Sequence, residues 1–169
     1  MNLSEEEIQD ERDDGAPIEV LEQYFEARGW ACERTGDGEI VASATGSWAQ
    51  YELRGVWRSE DQVLQFLAFP DIKVTADKRT AIFEALSLIN EQLWIGHFDI
   101  WTQTGTIMYR HALVLPEGLI ASNAQCEDML AGAIHACERY YPALQFVVWA
   151  GKTAAEAMTA AMFDTEGEA

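Results

Sequence analysis

The hydrophobic and polar positions change period several times along the chain, and each change marks an element. After Pro17, a residue suited to the first turn of a helix, Ile18, Val20, Leu21, Tyr24 and Phe25 make one apolar face, and Gly29 supplies a left-handed stop. From Trp30 to Pro70 the period becomes alternating. Gly36-Asp37-Gly38 predicts a tight turn between strands over 31–35 and 39–45. A third strand is predicted over 48–58, with Tyr51, Leu53 and Trp57 among polar neighbours, and a fourth, apolar enough to lie centrally, over 63–69. Short turns join all four, so an antiparallel meander is the natural topology.

The helical period returns after Thr75 or Asp77, either of which can cap it. Ile82, Phe83, Leu86, Ile89 and Leu93 recur at three- and four-residue spacing, and Ala85, Leu88 and Trp94 widen the stripe. This helix is predicted to run to about Ile95, where Gly96 closes it. A hairpin follows. With its turn at Thr104-Gly105, Phe98 and Ile100 share a face with Ile107, Tyr109 and His111. His97, Asp99 and Trp101 then share the other with Met108 and Arg110, and Asp99 lies directly across from Arg110. Ser122 and Gln125 form a capping box for a third helix, buried through Met129, Leu130, Ala133, Ile134 and Cys137, which Pro142 must kink or restart. An apolar run over 143–149 ends at Gly151, and Thr153 with Glu156 opens a last helix carrying Met158, Met162 and Phe163 on one side.

The resulting order is helix, three or four strands, helix, two strands and C-terminal helices: an α+β fold with helices on an antiparallel sheet. A chain of 169 residues that is 49% apolar and 11% aromatic is long enough for one domain with a real core. The net charge of −18 changes the picture. Residues 1–14 carry seven acids against Arg12 and residues 164–169 three more, so half of the charge sits at the ends and half on the body. Residues 1–15 and 164–169 therefore read as acidic disordered tails around a single domain over 16–163.

An acidic field repels phosphate backbones and anionic membranes and attracts basic proteins, so neither nucleic acid nor membrane is expected as a partner. No basic segment precedes an apolar run at the N-terminus and no 18-residue apolar stretch occurs, which predicts a cytoplasmic protein. Cys32, Cys126 and Cys137 leave one thiol unpaired in any scheme and suit a reducing compartment. Cys126 and Cys137 sit about 16 Å apart along one helix, beyond disulfide reach, and are expected as core fillers.

Four segments carry a resemblance. Ile89–Asp99 (INEQLWIGHFD), Met108–Leu115 (MYRHALVL) and Cys137–Lys152 (CERYYPALQFVVWAGK) resemble the YbjN family of bacterial sensory-transduction regulators, and Gly46–Trp57 (GSWAQYELRGVW) extends the likeness over most of residues 17–163. That family is similar in fold to the small acidic chaperones of type III secretion, dimers that bind an extended effector segment. The resemblance implies a non-catalytic protein-binding role, a homodimer and a protein client, and it supplies no catalytic residues.

The residues agree that no reaction is spelled out. No HExxH or paired ExxH pattern accompanies His97, His111 and His135, so no metal or other cofactor is expected. His111 is read instead as a core-edge histidine bonded to a neighbour. Ser47 lacks the G-x-S-x-G elbow, and Gly36-x-Gly38 is too short for a phosphate loop. Most of the six tryptophans are expected in the core. Trp101, on a strand face shared with charges, is the first candidate for an outward aromatic platform, with Met108, Tyr51 and Trp48 beside it as protein-binding residues. The alternative is a small-ligand sensor or enzyme with a pocket between sheet and helices.

Overall fold

The structure, a computed structural model, describes residues 16–166, with side chains over 17–161. The expected tail at 1–15 lies outside the described residues. The alternation seen in the sequence builds five of the six strands almost where it predicts them. Helix α1 (Ala16–Ala27) leads to β1 (Cys32–Gly36), β2 (Glu39–Thr45), β3 (Gln50–Arg58) and β4 (Val63–Phe69). Helix α2 (Arg79–Asn90) is entered through a 3-10 turn at Ala76–Lys78 and followed by β5 (His97–Trp101), β6 (Thr106–Val114), α3 (Asn123–Val148) and α4 (Ala154–Glu166). The last helix thus continues past residue 163; Met162 and Phe163, expected on its inner side, have side chains outside the described residues.

All six strands form one antiparallel sheet in the order β1-β2-β3-β4-β6-β5. The meander occupies one side and the β5–β6 hairpin folds back so that its second strand pairs with β4. The register Ala42↔Leu53↔Ala68↔Tyr109↔Phe98 runs across five strands and points to the helices. This face holds the core, with Ile40, Tyr51, Leu53, Leu64, Phe66 and Ile107 all at 0% exposure. Helix α1 packs on β1–β3, α2 on β5, and α3 on β4 and β6.

Three expectations are corrected. Helix α2 stops at Asn90 rather than near Ile95, because the Asn90 side chain is used as a bracket: its Nδ2 donates to the Phe98 carbonyl at 3.0 Å and its Oδ1 accepts from the Phe98 N–H at 2.8 Å. Trp94, past that stop, leaves the apolar stripe and is fully exposed, and Phe83 also faces outward. The β5–β6 loop spans four residues, not two, since Trp101 pairs with Thr106. Asp99 therefore lies opposite Met108, and Arg110 opposite His97. The slip is two residues, so each side chain keeps the face predicted for it. Asp99 and Arg110 still meet diagonally at 3.3 Å.

Helix α3 begins with the predicted capping box, both reciprocal bonds formed, and continues through Pro142 instead of restarting. Tyr140 to Leu144 are buried there, so packing holds the helix across the missing N–H. Thr153 caps α4 through the Glu156 N–H as predicted.

Candidate interaction face

Helices α1, α2 and α3 pack on one side of the sheet, with α4 against α2 and α3, and no described helix packs on the other. Its side chains are the alternate set: Val41, Arg54, Leu67, Arg110 and His97 form one row across five strands. Leu67 is only 9% exposed in spite of this position. Its cross-strand neighbours are Arg54 and Arg110, whose aliphatic stems shield it while the charged ends stay at the surface. Both arginines are held by carboxylates. Arg54 meets Glu52 at 2.7 Å and Glu39 at 3.5 Å, and its guanidinium lies 5.4 Å from the Phe69 ring. Arg110 meets Asp99, and its Nε is buried without a hydrogen-bond partner.

Two adjoining hollows lie along this row. One of about 650 Å³ runs between Gln50, Arg54, Phe69, Lys73 and Trp101. A second of about 480 Å³ lies over Leu67 and Met108 and shares Arg54 and Trp101 with the first. Trp101 stands between them, 54% exposed. Its place is set by the loop behind it: its carbonyl accepts from the Thr104 N–H at 3.2 Å and the Gly105 N–H at 2.7 Å. The Val74 N–H in turn donates to the Gly105 carbonyl at 2.8 Å, pinning the hairpin tip to the segment after β4.

The four residues singled out in the sequence divide between two sides of the sheet. Trp101 and Met108 are together on the uncovered face, Met108 buried at its floor. Tyr51 is on the helix side at 0% exposure, where its hydroxyl donates to the Glu138 carboxylate. Trp48 lies in the β2–β3 turn, stacked on Tyr141 with ring centroids 6.3 Å apart. Arg54, Leu67 and Phe69 were not singled out. The outward alternation of β3 and β4 contained them, but the pairing that groups them is a tertiary fact.

The tryptophans also depart from expectation. Trp57 is buried, Trp30 half-buried, and Trp48, Trp94, Trp101 and Trp149 are exposed. Trp94 and Trp149 follow helix ends, where the chain leaves the packed layer.

The remaining candidate chemistry is quiet. Among the described residues no three or more His, Cys, Asp or Glu are grouped to hold a metal ion, and no helix is long and apolar enough to cross a membrane. The three cysteines are free. Cys126 and Cys137 are core fillers as expected; burial pushes the Cys137 thiol up to about 12 and raises that of Cys126. Burial also lowers the His111 imidazole, and no described group hydrogen-bonds its side chain, against the bonded partner expected for it.

Comparison with known proteins decides the family. The YbjN family model, described as "Putative bacterial sensory transduction regulator", matches residues 17–146. The chain belongs to the YbjN family. Among solved structures, the crystal structure of YbjN from E. coli is similar over 73% of this chain and 90% of its own, with 11% identity and a TM-score of 0.52. The structure of the ExsC–ExsE complex contains another similar chain, over 72% of this chain and 88% of that one, with 17% identity and a TM-score of 0.52. At these identities the likeness is one of fold, and it bears out the α+β architecture expected of a YbjN member. No curated protein matches the sequence.

Proposed function

We propose that this YbjN-family chain is a non-catalytic, chaperone-like binding protein of the bacterial cytoplasm that holds an extended segment of a client protein on the uncovered face of its sheet. The observation that carries the reading is the uncovered row itself. An exposed tryptophan stands beside an apolar floor of Leu67 and Met108, bordered by arginines already paired with acids. Such a surface offers an aromatic anchor and ready hydrogen-bonding groups without a large desolvation cost for unpaired charge.

The occupant argued for is an extended segment with a large apolar side chain against Trp101 and basic residues nearby. The two hollows share Arg54 and Trp101, so a strand-like chain can run from one into the other. The acidic body draws a basic partner and speeds its arrival. ExsC in its complex with ExsE supports a protein partner for this fold. A homodimer is part of the proposal, with the exposed Trp94 and Trp149 outside the client face available for the contact between copies.

The test is recovery of partners from the native cytoplasm with wild-type protein and the Trp101→Ala and Trp149→Ala variants, beside light scattering of each. A dominant protein retained by wild type and Trp149→Ala but lost by Trp101→Ala supports the reading. Retention by all three removes it. The pocket between α3 and β6 favours a second reading, a small-ligand sensor.

A further inference from the structure

On the helix side of the sheet, away from the uncovered face, a pocket of about 230 Å³ opens between α3, strand β6 and the loop after α2. It is smaller than the roughly 300–1,000 Å³ of drug-sized sites and fits a small metabolite. One wall is a single stripe of α3, in which Asp128, Gly132, His135 and Arg139 follow one another at helical spacing. His111 of β6 lies in the floor, and Leu93 with Ile95 forms the opposite, apolar wall.

Two features set this pocket apart from a packing gap. First, its ionisable groups are unmatched. Five of the seven described arginines pair with a carboxylate, whereas Arg139 forms no ion pair among the described residues and overlies the Tyr140 ring at 5.4 Å. Arg79 is the other described arginine without such a pair, but Arg139 differs from it in lining a pocket, on the exposed side of α3, where its guanidinium is open to an incoming anion. His111 and His135 likewise have no hydrogen-bond partner among the described residues. Second, Gly132 sits mid-helix, where glycine costs about 1 kcal/mol relative to alanine. Packing does not demand it, since a Cβ there would meet nothing within 4 Å. Its effect is to keep the pocket wall low and bare.

We propose that this pocket is a binding site for a small organic carboxylate with an apolar body. The carboxylate pairs with the Arg139 guanidinium, whose planar fork matches it, with the histidines as further donors. The apolar body lies against Leu93 and Ile95 across the bare turn at Gly132. Asp128 at the same wall opposes dianions and leaves monocarboxylates as the favoured class.

The experiment uses the full chain and phenylacetate, with phenethylamine and phenylacetamide as charge controls, followed by two-dimensional NMR. Phenylacetate should give saturable shifts confined to residues 92–95, 109–111 and 128–140, and the amine and amide should not. Arg139→Met should weaken binding by at least about tenfold. Gly132→Leu, which fills open space and keeps the fold, should abolish it. Absence of saturable shifts with phenylacetate, equal shifts with the amine, or undiminished binding to Gly132→Leu would each overturn the proposal. Client binding at Trp101 is read in a separate assay, so either idea can fail without the other.

Discussion

The Tyr51 hydroxyl, buried on the helix side of the sheet, donates to the Glu138 carboxylate of α3, which also accepts the Ser47 N–H at 2.9 and 3.0 Å. One carboxylate thereby ties the longest helix to the β2–β3 turn. Gly46 is required at that turn, because a Cβ there would lie 2.2 Å from the Tyr51 ring and 2.3 Å from the Glu138 carboxylate. The consequence for function is orientation: α3 covers β4 and β6 on one side and leaves the opposite face of the same strands free.

Removing the tie should cost stability. Glu138→Ala leaves a buried hydroxyl and a backbone N–H without their acceptor, and about 1–3 kcal/mol of unfolding free energy should be lost in urea titrations. A smaller loss in Glu138→Gln than in Glu138→Ala would show that hydrogen bonding, and not charge alone, makes the tie.

The same group sets an acid limit. Burial raises the Glu138 carboxyl, but the hydrogen bonds from Ser47 and Tyr51 outweigh it and hold the group below its ordinary value. A folded-state value below the unfolded one means the stabilisation is complete above the ordinary carboxylate range and is lost as pH falls through the lowered value. Stability of the wild type should therefore fall below about pH 4.5 more steeply than that of Glu138→Gln, whose profile should be flatter in that window. Identical profiles would show that Glu138 does not contribute.

At the hairpin tip, Gly105 has φ +74° and a Cβ there would lie 2.3 Å from the Val74 carbonyl oxygen. Gly105→Ala meets both a left-handed backbone and a backbone clash, so a loss of about 1–3 kcal/mol is expected in thermal or denaturant unfolding. Because Trp101 is positioned by the Gly105 N–H, client binding should weaken with it even where the chain remains folded.

Thiol labelling separates the cysteines. Burial holds all three thiols above their usual range, with Glu26 and Glu22 adding to it at Cys32, so access is what separates them: Cys126 and Cys137 are buried and Cys32 is partly exposed. Iodoacetamide should label Cys32 in the native protein and the other two only on unfolding. Equal labelling of all three under native conditions would contradict the described packing.

Much of the architecture was readable because it is local. Period-two runs placed the strands, Ser122 and Gln125 announced α3, and the aromatic segments identified the family. What escaped depended on distant partners. The end of α2 is decided by Asn90 reaching Phe98 across the loop, which no apolar stripe reveals. The hairpin register turned on a four-residue loop held by Val74, so Asp99 met Arg110 diagonally. Trp101 and Met108 were placed on one face because alternation is robust to a two-residue slip, while Tyr51 and Trp48 went elsewhere because aromaticity alone does not say which side a residue faces. The small pocket was invisible for a similar reason: Asp128, His135 and Arg139 acquire meaning only when β6 brings His111 beneath them.

The central claim is that the uncovered sheet face, and not the helical side, holds the client. A photo-cross-linking residue placed at position 101 in one variant and at position 149 in another tests it most directly. Trp101→Ala itself should change stability by no more than about 0.5 kcal/mol, so replacement there is tolerable. Cross-links from position 101 to one protein other than this chain, with none to it from position 149, are the predicted result. Cross-links to that protein from position 149 alone, or from position 101 only to a second copy of this chain, would contradict it.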